Sequence, residues 1–205
     1  MLKEIYAPPI CLYIKGNLQL LKMQNISLIG CRKCSQYGKK TAYYFSYNLS
    51  KAGFNIVSGL ARGIDSYSHI GCLAAKGKTI AVMGSGLDNI YPKENEQLVN
   101  EIIKQNGAII TQYPLGTKPE KNNFPARNRI ISGLSKAVLV IEARAKSGTL
   151  ITVDFALEQG KDVFAVPGNI NSANSVGTNE LIKQGAIPVC NYKDCLLYTS
   201  DAADD

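Results

Sequence analysis

The chain has 205 residues, 45% of them hydrophobic, and a formal charge of +7 at pH 7. That length supports one well-buried domain and is short for two; no run of about 18 apolar residues and no basic-then-apolar leader occurs, so neither a membrane span nor a secretory signal is supported and a cytoplasmic location is expected. The excess of cations favours a polyanionic partner over a membrane surface or a cationic substrate, with plain solubility as the competing explanation.

Ala7-Pro8-Pro9 cannot continue a helix, and Ile10 to Ile14 then reads as a short edge strand closed by Lys15-Gly16-Asn17. From Asn25 the pattern alternates regularly: strand 26–29, helix 35–52, strand 55–58, helix 65–76, strand 78–83, helix 93–105, strand 107–112. The helices carry apolar residues at i, i+3, i+4 spacing, as Ala42, Phe45 and Leu49 illustrate, and Tyr43, Tyr44 and Tyr47 in the same helix are expected to pack. After Tyr113-Pro114 a polar, lysine-bearing loop, Leu115 to Asn123, with Gly116 and Pro119, leads into a helix over Phe124 to Leu134 with Arg127, Asn128 and Arg129 in its first turn. Cations there oppose the macrodipole unless the helix end receives an anion. Strand 137–142, helix 150–159, strand 163–167, helix 178–184 and strand 186–190 complete the series. Leu196 to Asp205 lacks periodicity and is expected to lie outside the fold, leaving one domain over residues 1–195.

This order predicts an α/β fold, a mostly parallel sheet with helices on both faces. Parallel strands deliver their turns to one edge, where function is sought. The turns are Gly30-Cys31-Arg32, Ser58-Gly59 running to Arg62-Gly63 and Asp65, Gly84-Ser85-Gly86, Ser147-Gly148-Thr149, and Pro167-Gly168-Asn169. Asp65 can cap the helix that follows it.

Gly84-Ser85-Gly86 is a weak dinucleotide turn, because Asn89 stands at the third glycine position and no ribose-holding acid follows. No Gly-x-x-x-x-Gly-Lys-Ser/Thr string occurs, which excludes a P-loop. Cys31-x-x-Cys34 could be a redox pair or half a zinc site, but there is no second pair and His69 is the only imidazole, so neither metal nor cofactor is expected. His69 reads as a packing residue. What accumulates at the edge is Arg32, Lys33, Arg62, Arg127, Arg129, Arg144 and Lys146, beside Ser58, Ser85, Ser147 and Thr149. That set suits phosphates, and Phe124 and Tyr91 offer rings for base stacking.

At these residues the chain resembles the DNA-processing protein family called DprA or Smf. The matching stretches are Ala7 to Asn17, Ile29 to Arg32 with Tyr37-Gly38, Ile56 to Asp65, Ala81 to Pro92, Phe124 to Ser135, and Glu142 to Thr149 through Val166 to Asn169 and Gly177 to Asn179, covering about residues 3 to 192. The resemblance implies an extended Rossmann fold that binds single-stranded DNA, forms a homodimer and hands the strand to RecA recombinase during natural transformation. It implies a binding protein and not an enzyme. Arg32 matches the family's phosphate-gripping arginine, and Arg127 and Arg129 lie in the motif lining the same pocket. Cys31 stands where that family usually has a small hydroxyl residue. A nucleotide-binding hydrolase of the phosphoribohydrolase-like group, also called lysine-decarboxylase-like, is the alternative; there an acid closely follows the Gly-Thr, whereas here Gly148-Thr149 precedes Leu-Ile-Thr-Val before Asp154.

Overall fold

The computed structural model describes residues 2–200. Its strands are β1 (Tyr13–Gly16), β2 (Asn25–Gly30), β3 (Asn55–Ser58), β4 (Thr79–Val82), β5 (Ala108–Thr111), β6 (Ala137–Glu142), β7 (Asp162–Ala165) and β8 (Ile187–Pro188). Its α-helices are α1 (Gln36–Lys51), α2 (Ile64–Ala74), α3 (Glu96–Lys104), α4 (Asn123–Gly133), α5 (Gly148–Glu158), α6 (Val176–Lys183) and α7 (Tyr192–Ser200).

The strands form one sheet in the order β1-β5-β4-β3-β2-β6-β7-β8, with β1 antiparallel to β5 and every other pair parallel. A parallel strand covered on both faces must be apolar on both, and β3, β4, β5 and β6 are buried at every position. Alternation then divides the core. Ile29, Val57, Val138 and Val140 pack against Ile130, Ile131 and Leu134 of the α4 region and Val153 of α5. Leu28, Ile56, Leu139 and Ile141 face Ala42, Phe45 and Leu49 of α1 and Ile64 of α2.

The fold class is that expected from the sequence. The edge strand lies three residues later than Ile10 to Ile14: Ile10 is fully exposed, and pairing runs from Tyr13↔Thr111 to Gly16↔Ala108. The stretch from Leu196 is not structureless as expected, since α7 continues to Ser200 and Leu196 packs on the cluster that holds Cys195; residues 201–205 lie outside the described residues. Tyr43 and Tyr44 pack as expected, Tyr43 stacking on Tyr47 and Tyr44 meeting Phe45 and Tyr192, but on the surface and not in the core, being 39% and 41% exposed.

The chain builds outward from β2 to β3, β4 and β5, then returns to add β6 on the other side of β2. Strand order therefore reverses between β2 and β6, and their carboxyl ends part into a crevice.

Candidate nucleic-acid interface

That crevice is a cavity of about 680 Å³, within the range of sites that hold small organic groups. One wall is the turn after β2, Gly30 to Lys33; the second is the Pro119–Lys121 loop with Phe124, Arg127 and Asn128 of α4; the third is Arg144 with Ser147, Gly148 and Thr149 at the start of α5. Arg32, Lys33, Lys121 and Arg144 are exposed cations on its rim, and the one acidic residue in the lining, Asp65, is buried.

Local geometry fixes the wall after β2. Gly63 sits at φ +77° directly before α2, and a Cβ there would lie 2.3 Å from the Cys31 carbonyl oxygen, so glycine alone lets the β3 turn pass the Arg32 loop. Ser35 caps α1 by accepting from the Gly38 amide at 3.0 Å. Buried Glu142 at the end of β6 accepts from the Ser35 amide at 2.9 Å and from the Ser35 hydroxyl, tying the loop to the sheet. Asn174, from the loop after β7, donates to the Lys33 carbonyl at 3.1 Å and to Glu142 at 3.3 Å, and accepts from Arg144 Nε at 2.9 Å. Burial pushes both the Cys31 and Cys34 thiols upward, so neither is a readily formed thiolate.

At the start of α5 the Ser147 hydroxyl accepts from the Thr149 amide at 3.3 Å, and the Gly148 amide has no acceptor among the described residues. A helix start with an open amide beside Arg32 and Arg144 suits a phosphate oxygen.

Of the residues read from sequence, the cavity gathers Gly30, Arg32, Phe124, Arg127, Asn128, Ser147, Gly148 and Thr149. Gly59 and Arg62 line a small adjoining recess, where Arg62 is paired with Glu94 through bonds of 2.6 and 2.7 Å. The others lie elsewhere. Ser58 is buried and donates to the Leu28 carbonyl at 2.6 Å, and Ser85 is buried and donates to Asn89 at 2.7 Å. Gly84 backs the Phe124 ring, with room for no Cβ beyond 2.9 Å from it, and the Gly86 amide is spent on Thr117. Lys146 is exposed but outside the lining.

The arginines of α4 need the largest correction. The helix begins at Asn123, so Arg127, Asn128 and Arg129 occupy its second turn, and at about 100° per residue Arg127 and Arg129 face opposite sides. Arg129 points away, donating to the Ala7 carbonyl at 2.8 Å and Gln112 at 2.6 Å. Arg127 is 3% exposed and donates to the carbonyls of Gly59, at 2.8 Å, and Val82. It braces two strand ends and lends the cavity positive potential from below. Burial lowers its pKa to about 10, against the raising effect of the Asp65 charge. Burial pushes Asp65 up to about 6, partly offset by Arg127. Asp65 is not the helix cap; its carboxylate turns back to accept from the Gly59 and Ala61 amides at 3.1 and 3.3 Å.

Phe124 is half-buried, with the Arg32 guanidinium 5.4 Å from its centroid, Arg127 at 5.9 Å and the Tyr91 ring at 5.5 Å. It orients Arg32 by a cation–π contact and leaves only part of its surface to the cavity. Lys121 and Asn174 were not singled out from sequence: the first is one lysine in a polar loop, and the second acts on Lys33 from 141 residues away.

The model of the family described as DNA recombination-mediator protein A matches residues 1–200. The chain belongs to that family. It is 45% identical to the DNA processing protein DprA of Bacillus subtilis, over 94% of this chain and 65% of that protein, so it spans just under two thirds of that relative. Among solved structures it is similar to DprA of Streptococcus pneumoniae, with TM-score 0.91 and 45% identity over 96% of this chain and 69% of that one. It is also similar to DNA processing protein A of Helicobacter pylori, solved to explain that protein's single-stranded DNA binding mode, with TM-score 0.87 and 32% identity over 97% and 90% of the two chains. The likeness to both members covers nearly all of this chain.

Proposed function

We propose that this chain holds single-stranded DNA at the β2/β6 crevice and that, within a DNA-processing protein of the family, it shields incoming strands and passes them to RecA recombinase. The observation that carries the reading is the cavity itself, rimmed by Arg32, Lys33, Lys121 and Arg144 around an open helix start. Four exposed cations beside aromatic and apolar walls suit a flexible backbone of phosphates with bases turned inward, and offer no base-edge code. The H. pylori relative, whose structure addresses its single-stranded DNA binding mode, supports the same ligand. A homodimer acting in the cytoplasm as a binding protein without turnover completes the proposal; among the described residues no helix is long and apolar enough to cross a membrane.

The test is a fluorescence titration of labelled oligothymidylate at several salt concentrations. Neutralising about four phosphates gives a log–log slope of roughly −3 on single strands, with little change between base compositions. A slope near zero removes the reading. Adding RecA to the preformed complex and following its filament growth on the strand tests the handover.

A further inference from the structure

A second concavity, of about 370 Å³, lies on the outer side of α1, bounded by Tyr37, Lys40 and Tyr44 on the helix and by Val166, Pro167 and Val189 at the ends of the neighbouring strands. Tyr37 and Tyr44 are seven residues apart, two helical turns and about 10.5 Å along the axis, so they share one face, with Lys40 between them. Both are large and exposed, at 52% and 41%. Both are also held: the Tyr37 hydroxyl donates to the Pro167 carbonyl at 3.2 Å, and the Tyr44 ring meets Phe45 and Tyr192 edge-on at 5.4 and 6.3 Å. Rings fixed from behind and bare in front lose little freedom when a flat group settles on them.

We infer that this groove is a second subsite for single-stranded DNA, in which bases leaving the β2/β6 cavity stack on Tyr37 and Tyr44 while Lys40 meets the backbone. This rests on the single-strand reading of the cavity. Two observations select that occupant. The groove begins at Tyr37, four positions after the cavity residue Lys33 and bonded to Pro167 just past the end of β7, so the start of α1 borders both concavities. Its one charged lining residue is a lysine, with no acid to repel a phosphate. Two aromatic rings on one helix face beside a cation form a stacking platform that accepts any base.

The experiment measures affinity for a hexanucleotide, short enough for the cavity alone, and for an eicosanucleotide, long enough to reach the groove. Tyr37→Ala and Tyr44→Ala should each weaken eicosanucleotide binding about fivefold or more and leave hexanucleotide binding within about twofold. Tyr44→Phe should retain wild-type affinity, since the ring remains. Lys40→Gln should flatten the salt slope by roughly 0.7 on the longer strand only. Unchanged hexanucleotide binding also shows that each variant is folded. Equal losses at both lengths, or none at either, overturn the proposal. So does a change of mass in light scattering with DNA affinity intact, which would make the groove a contact between two copies of the chain. Failure of the wild type to bind either strand would sink the cavity reading as well, a result distinct from loss of the length effect alone.

Discussion

One nitrogen of the Arg127 guanidinium donates to the carbonyl oxygens of both Gly59 and Val82, closing the ends of β3 and β4 beneath the cavity. Both acceptors are buried and would otherwise go unpaired, and the buried Asp65 carboxylate is stabilised by the same charge.

Arg127→Ala should therefore act on stability first, costing about 3 kcal/mol in urea unfolding because it strands two carbonyls and an acid together. A direct phosphate ligand would behave otherwise. If Arg127→Ala unfolds like the wild type while losing DNA, the bracing role assigned here is wrong.

Acid stability gives a second test, because two buried groups near Arg127 oppose each other. Burial, aided by the Arg127 charge, pushes His69 down to about 3 from 6.5, so between those pH values the unfolded chain binds the extra proton and stability falls on acidification. Asp65 rises from 3.8 to about 6, so across that interval the folded chain binds the extra proton and stability grows on acidification. Each effect is worth about 1.4 kcal/mol per pH unit, and between pH 4 and 6 they nearly cancel. Relative to the wild type, His69→Gln should gain stability as pH falls through that interval and Asp65→Asn should lose it. Curves from denaturant unfolding that stay parallel for all three proteins would contradict this.

At the rim, Arg32→Ala should weaken single-strand binding by about 1.5–3 kcal/mol, whereas Lys22→Ala, exposed before β2 at the opposite end of the sheet, should change it little. Asn174→Ala should also weaken binding, although in this structure Asn174 acts on Lys33 and Arg144. Its effect should be non-additive with Arg144→Ala in a double-mutant cycle, by about 0.5 kcal/mol or more. Full additivity would mean that Asn174 does not position Arg144.

Glu142 separates the binding reading from hydrolysis. Its oxygens already receive the Ser35 amide, the Ser35 hydroxyl and the Asn174 amide, which leaves them poorly placed to activate water. Incubation with nucleoside monophosphates should release no free base, and Glu142→Gln should lower the melting temperature by loosening the α1 cap. Release of base that disappears in Glu142→Gln would make the carboxylate catalytic and restore the hydrolase.

The fold was legible in the sequence because a buried parallel strand must be apolar on both faces, and the glycine turns that end such strands are equally visible. Arg32 could be read for the same reason, as it leaves β2 at its last glycine. The phase of α4 could not. Two positions on a helix are about 200° apart, so Arg127 and Arg129 face opposite ways, and which of them turns inward is decided by packing against the strand ends and not by local pattern. Asn174 carries no local signal, because its partners Lys33 and Arg144 meet it only in the folded sheet.

The margins of the sheet constrain how copies of this protein can meet. At one margin β8 is two residues long and one of them, Pro188, lacks an N–H; at the other, β1 is four residues long and exposes Lys15. Short strands, proline and lysine are the features that blunt strand addition, so neither margin is a template for a further strand. Crowding many copies along one DNA strand would then bring side-chain surfaces together without recruiting their backbones into a growing fibre.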